Sequence, residues 1–248
     1  MRIRSPDHRA RTSELGFKRI ELAAIVVVVF ILAALVVVGA THLTERNRRA
    51  RCRSNLGQVS RAVLLYAGDY NNRLPDCTRR NPRFFGSVFP WDLNENLVLE
   101  LDNRGAGRRF LYCPSNKDQN NETTWNFGAA RGTQIRILGY AFLLNGNVPN
   151  TPVAWRTNVV TDGGGNPSKV ELVLDAVINE GGHFTKIEAT QRRRTSHVVP
   201  FTSKPAGANI AFEDGHVDWR EFKLMQNRFF SRGLNHVKNE PMAVDWYY

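Results

Sequence analysis

Three cysteines in 248 residues, Cys52, Cys77 and Cys113, exclude a fold built on a disulfide framework, because they allow at most one internal bridge and leave one thiol over. Their spacing excludes a zinc knuckle, and no paired C-x-x-C occurs. The G-x-S-x-G turn of a hydrolase nucleophile and the H-E-x-x-H helix of a zinc protease are also missing. The sequence therefore gives no warrant for an enzyme, and no catalytic residue, metal ligand or cofactor is expected. Acidic residues are scarce, 23 against 34 Lys and Arg, for a net charge of +11. The surplus is unevenly placed: residues 1–53 carry +7 and the remaining 195 residues +4. So mild an excess over most of the chain is thin support for a nucleic-acid partner.

Between the basic residues of that first segment lies a run of the opposite character. Leu22 to Thr41 is 20 residues without a charge, rich in Val, Ile, Leu and Ala. At about 1.5 Å per residue it spans a hydrocarbon core of roughly 30 Å. A buried core helix would carry a polar stripe and a secretory apolar region would be shorter, so the run reads as one transmembrane helix in contact with membrane lipid. Residues 1–16 read as a basic leader peptide and 17–41 as the membrane segment. Six Lys or Arg precede the run and five follow it closely, which does not decide orientation. The short leader and the large domain beyond favour a cytoplasmic N-terminus.

No helix breaker follows Thr41 until Gly57, and apolar residues recur at Cys52, Leu56, Val59, Val63, Tyr66 and Tyr70. This 4-3-4-3-4 spacing marks one face of a helix. Residues 42–74 are thus expected to continue the membrane helix as an amphipathic segment, ended by Asn71, Asn72 and Pro75. Residues 75–248 form the β-rich remainder. If that part lies outside the cytoplasm, Cys77 and Cys113 are the expected disulfide pair among the three pairings open.

From Thr78 to Thr161 the chain is rich in Asn, Arg, Gly and Pro and reads as loops with short strands, the candidates being Phe110–Cys113 and Ile135–Leu144. Phe89, Trp91, Phe110 and Trp125 read as core plugs. Lys169–Asp175 and Asn209–Phe222 are the clearest strands, the latter folded at Asp214-Gly215 into a hairpin with a two-residue type I′ loop. That loop would set Glu213 opposite His216, a cross-strand pair that makes a structural account of Asp214-Gly215-His216 better than a metal or catalytic one. Leu224–Leu234 is expected as a short final helix or irregular edge, and Arg192–Arg194 as a solvated loop. The fold class is α+β: one long N-terminal helix with its outer half packed on an antiparallel sheet.

Several blocks resemble a known family. Gly16-Phe17, with Glu21 ahead of the apolar run, resembles the type IV prepilin processing signal, cut before FTLIE. CRSNLGQVSRAVLLYAGDYNNRLP (Cys52 to Pro75) is similar to the CLSNLKQIGLALLMYADDNDGRLP segment of pseudopilin-like proteins of planctomycete- and verrucomicrobium-type bacteria. Tyr112-Cys113-Pro114-Ser115 resembles their F-x-C-P-S. Asn166-Pro167-Ser168 with a strand ending at Asp175 resembles their N-P-S block, and NIAFEDGHVDW (Asn209 to Trp219) their N-V-L-F-A-D-G-H-V-E-W. Two departures stand out. Lys18 and Arg19 occupy the usual Thr and Leu positions, and the His found ten residues before the D-G-H Asp is Lys204 here, with His197 seven residues further back.

The resemblance implies a pilin-like fold and a non-enzymatic subunit of a pilus or type II secretion pseudopilus. It implies a prepilin peptidase that cuts after Gly16 and methylates Phe17, and assembly partners in other pilin or pseudopilin subunits and the inner-membrane machinery. Glu21 would pair with the new terminal amine of a neighbouring subunit. The implied location is the bacterial inner membrane, single-pass, with the C-terminal domain periplasmic. Lys18 and Arg19 would be drawn into an apolar bundle in a filament but can snorkel to the interface in a lone anchor. The rival reading is therefore a monomeric signal-anchored surface or binding protein, and a third class is a DNA-capturing pseudopilin.

Overall fold

A computed structural model describes residues 19–77, 89–144, 166–187, 194–225, 227–234 and 241–247. The chain forms two units, Met1–Leu43 and Thr44–Tyr248.

In the first unit every described residue is helical, belonging to α1 (Arg19–Asp69). The Val-rich run has only modest intrinsic helix preference, but a helix is the form in which a single segment satisfies its own backbone groups in an apolar solvent. All its large apolar side chains from Ile20 to Val38 are exposed. By length and composition the helix can cross a membrane.

In the second unit the rest of α1 buries Cys52, Leu56, Val59, Val63 and Tyr66, the face the 4-3 spacing predicts, while Arg53 and Arg61 stay in solvent. Burying each such Leu or Val contributes about 1.5–3 kcal/mol. Gly57 lies on this face beside Val217, to which an added Cβ would stand at 3.7 Å. Tyr70 stacks on Tyr66, ring centroids 4.3 Å apart, but is itself exposed. The helix stops at Asp69, short of the expected 74. Asn71 and Asn72 turn left-handed (φ 56° and 59°), and the Asn72 N–H donates to the Ala67 carbonyl at 2.7 Å. Asn tolerates this conformation, which satisfies a carbonyl left over at the helix end.

The strands are β1 (Asp92–Asn94), β2 (Ile135–Ile137), β3 (Tyr140–Phe142), β4 (Glu171–Asp175), β5 (Val177–Asn179), β6 (His197–Val198), β7 (Pro205–Phe212), β8 (Val217–Glu221), β9 (Asn227–Leu234) and β10 (Pro241–Tyr247). The main sheet runs β3-β4-β7-β6, with β8 also paired to β7, and all its pairings are antiparallel. β5, β10 and β9 make a second antiparallel sheet, and β1 pairs with β2. The fold is α+β.

Strand alternation gives the main sheet two apolar faces. Tyr140, Phe142, Val173 and Ala211 join the core under Leu56, Val59 and Val63 of α1. Ala141, Leu143, Leu174, Ile210 and Phe212 form a second cluster with Phe89 and Trp91. Phe110 and Trp125 pack, partly buried, against the first.

Several expectations are corrected. Phe110–Cys113 is not a strand: Arg108–Phe110 is a 3-10 turn, and the Gly139 N–H donates to the Leu111 carbonyl. The Asn-rich middle contains two helices, α2 (Glu95–Asn103) and α3 (Glu122–Trp125). They are capped by the side chains of Asn94 and Asn121, which accept from the backbone N–H groups of Asn96 and Thr124. Leu224–Leu234 is mostly strand β9 rather than helix. Ile135–Leu144 is two short strands parted at Leu138-Gly139.

Candidate functional site

Glu45 and Cys52 lie seven residues apart on α1, hence on the same face two turns apart. Cys113 follows the Arg108–Phe110 turn, Asp175 ends β4, His197 opens β6 and Asn209 lies within β7. The fold collects these six residues, far apart in the chain, into one buried polar cluster.

His197 is its hub. Nδ1 lies 2.7 Å from Glu45 Oε1, and Nε2 lies 3.1 Å from Asp175 Oδ2 and 3.4 Å from Cys113 Sγ. The Cys52 thiol donates to Asp175 Oδ1 at 3.0 Å and sits 3.4 Å from the Tyr140 hydroxyl. Asn209 donates to Asp175 Oδ2 twice, from its backbone N–H and its side-chain amide, each at 3.0 Å. Ser115 donates to both oxygens of Glu45 at 3.1 Å. On the outer side Arg49 Nε stands 3.6 Å from Glu45 and the Arg49 guanidinium lies 4.2 Å above the Trp219 ring, whose edge meets His197. Thr195, bonded to the Ile178 N–H and carbonyl, ties the segment before His197 to β5.

Electrostatics follow from this contact set. Burial pushes the Asp175 carboxyl up, but the His197 charge and the hydrogen bonds it accepts outweigh that and bring it to about 2. Glu45 is likewise driven up by burial and held below the usual carboxylate range by His197 and Ser115. His197 is pulled down by burial and raised well above its ordinary value by Cys113 and Asp175. Burial raises Cys113, while the bond to Cys52 and the His197 charge bring it down to about 7; Cys52 is driven up by burial and by its neighbours Cys113 and Asp175.

One donor atom from each of Cys52, Cys113, Asp175 and His197 lies within 4.8 Å of the other three, the group among the described residues with a spacing that could hold a metal ion. The same thiols also stand close enough for oxidation chemistry. A nucleophilic role is opposed by burial, since a substrate would have to reach sulfur atoms that are closed off from solvent.

The sequence-predicted residues fall elsewhere or join this set singly. Cys113 is in the cluster, but Cys77 is a separate buried thiol; all three cysteines are free, and the neighbour of Cys113 is Cys52, not Cys77. Spacing does not separate those pairings, because Cys52 fits an apolar helix stripe as well as a disulfide. Glu21 is in the first turn of α1 and exposed. Gly16 and Phe17 lie outside the described residues, as do Arg192 and Arg193.

Asp214 and Gly215 sit in the β7–β8 hairpin, but its loop has three residues, not two. The Gly215 N–H donates to the Phe212 carbonyl and the Phe212 N–H to the His216 carbonyl. Only Gly215 there has positive φ (89°), the form of a type I turn followed by a bulge. Phe212 rather than Glu213 therefore faces His216, their rings stacked at 4.3 Å, and the His216 imidazole is partnered by the carboxylates of Asp214 and, at 3.6 Å, Asp218.

The signal that pointed to the buried cluster was in the resembling blocks. Cys52, Cys113, Asp175 and Asn209 come one from each of four of these blocks, and His197 stands seven residues before the position of the missing His. No protein-family model, curated protein or solved structure matches the chain.

Proposed function

We propose that the chain is a non-enzymatic prepilin-like or pseudopilin-like subunit of the bacterial inner membrane, with its N-terminus cytoplasmic and its β-rich domain periplasmic. The observation that carries this reading is the division of labour along α1. Its first part exposes apolar side chains on every face, whereas from Cys52 onward the same helix buries one stripe on a β-rich domain. A helix of this kind anchors a domain and leaves an apolar shaft for lipid or for other helices. The processing motif at Gly16-Phe17 and the carboxylate at Glu21 add the assembly step: peptidase cleavage after Gly16, methylation of Phe17, and pairing of Glu21 with a neighbour's terminal amine.

Co-expression with a prepilin peptidase, followed by mass spectrometry of the mature N-terminus, tests this. A chain starting at methylated Phe17 supports it. An intact Met1, or a start near Thr41, removes it.

A further inference from the structure

We infer that Cys52, Cys113, Asp175 and His197 form a zinc(II) site that fastens the α1 helix to the β-sheet. The inference is independent of any role in assembly. The His197 imidazole stands at the centre of this group. Nδ1 faces the Glu45 carboxylate, and Nε2 faces the Asp175 carboxylate and the Cys113 sulfur. Both ring nitrogens thus face acceptors. With Nδ1–H donated to Glu45, a neutral ring turns its Nε2 lone pair toward an oxygen and a sulfur that are themselves electron-rich. The positive centre at that point is either the Nε2 proton of an imidazolium or, with Nδ1–H still held by Glu45, a metal ion with Nε2 as ligand, and the two thiols gathered beside it favour the ion.

The donor set and its surroundings suit zinc. Two thiols, one imidazole nitrogen and one carboxylate oxygen make the mixed S, N, O set of a tetrahedral site. Metal–ligand bonds of about 2.0–2.3 Å place tetrahedral donors roughly 3.3–3.8 Å apart. Here Cys52 Sγ–Asp175 Oδ1 is 3.0 Å and Cys113 Sγ–His197 Nε2 3.4 Å, and one donor atom from each of the four residues lies within 4.8 Å of the other three, so side-chain adjustments of about 1 Å seat the ion.

Each ligand is also held from behind. Glu45 holds His197 through Nδ1, Asn209 grips Asp175 Oδ2 with two donors, and Tyr140 stands behind Cys52. A carboxylate on the far nitrogen of a ligating imidazole is the arrangement that orients such ligands and strengthens their basicity. Arg48 and Arg49, 4.0 and 3.6 Å from Glu45, offset the negative charge that two thiolates, Asp175 and Glu45 leave around a divalent ion.

A Cys52–Cys113 disulfide explains less. It would take the thiol donor from Asp175 Oδ1 and leave the His197–Asp175–Glu45 array aimed at an apolar bond. With four protein ligands and burial on all sides the site is closed, which makes it structural rather than catalytic. Loading displaces one proton from each thiol, and the Nε2 proton wherever His197 is imidazolium, to solvent; no electron moves. Because the ligands come from α1, the loop after Arg108–Phe110, β4 and β6, the ion joins the helix to the sheet.

The test uses the full-length chain, purified in detergent without a polyhistidine tag. Elemental analysis after zinc(II) incubation and dialysis is expected to find a single zinc per chain. Cobalt(II) in its place is expected to give the intense visible bands of a tetrahedral ion with thiolate charge transfer. Cys113→Ser and His197→Gln lower zinc retention at least tenfold, while Cys77→Ser retains it. Zinc far below one per chain, a cobalt spectrum without thiolate bands, or an intact mass lower by two hydrogens with Cys52 and Cys113 joined would each overturn the site. The cobalt spectrum and the mass are read on the unaltered chain, so a variant that fails to fold leaves the test standing.

Discussion

Glu45 Oε1 stands 2.7 Å from His197 Nδ1, joining α1 to a strand 152 positions further along the chain. Neither residue is exposed, and the contact fixes which imidazole nitrogen turns toward Asp175 and the two thiols. Glu45→Gln keeps the side-chain shape and an acceptor but removes the charge. Its zinc affinity, read by competition with a chelator, should fall about 10–100-fold, with the cobalt spectrum retained because all four ligands remain. Glu45→Ala also strips a buried imidazole of its partner and should cost on the order of 3 kcal/mol in thermal or chemical denaturation.

Gly139 governs where Cys113 can sit. A Cβ there would lie 2.5 Å from Tyr112 Cα and 2.8 Å from Cys113 N, backbone atoms that cannot swing away as a side chain would. Gly139→Ala should therefore destabilise the domain by about 3 kcal/mol and weaken cobalt binding together with it. A variant that melts and binds cobalt like the parent would show that this close approach is not rigid.

Helix periodicity made α1 readable, because a 4-3 stripe flanked by Arg53 and Arg61 has no other economical fold. Testing the stripe separates burial from composition. Leu56→Ala opens the core and should cost about 2–5 kcal/mol, whereas Leu65→Ala, at a site 57% exposed on the same helix, should change stability by less than about 0.5 kcal/mol. Parallel denaturant titrations read both.

What the sequence hid was hidden for physical reasons. α2 and α3 were obscured by the same Asn residues that cap them, since Asn94 and Asn121 read as loop until their side chains are seen on the first-turn N–H groups. The hairpin was visible, but Asp-Gly is compatible with loops of two and of three residues, and the register that decides between them is set by the β7–β8 pairing of Ala211 with Val217. The cluster was least legible. Cys52 fits an apolar stripe as well as a ligand, and no local spacing links it to Cys113, Asp175 and His197, which meet only when helix and sheet are assembled.

Cys77 gives a check on the cysteine arrangement that needs no metal. Burial, with the Asp76 charge adding to it, raises its pKa to about 12 from the ordinary 9.0. Three units correspond to about a thousandfold less thiolate at pH 8, so alkylation of native Cys77 should be slower than that of the unfolded chain by at least that factor. The raised pKa favours the folded state below pH 9 and loses that contribution as pH climbs toward 12. Mass spectrometry after timed iodoacetamide labelling reads the rate. Rapid labelling, or recovery of Cys77 in a disulfide with Cys113, would contradict a separate buried thiol.

Glu21 separates an assembling subunit from a lone anchor. It occupies the first turn of α1, where a carboxylate is favoured by the helix dipole, and insertion depends chiefly on the uncharged run that follows. Glu21→Ala should therefore leave membrane fractionation unchanged. In an assembling subunit the same change removes the partner of a neighbour's terminal amine, so cysteine crosslinks engineered between adjacent apolar shafts should disappear in the variant and be present in the parent. Arg19, exposed at the start of the helix, works against close packing of such shafts. Arg19→Leu is thus expected to increase crosslinking. Absence of crosslinks in the parent, in Glu21→Ala and in Arg19→Leu alike would identify a chain that stays single in the membrane.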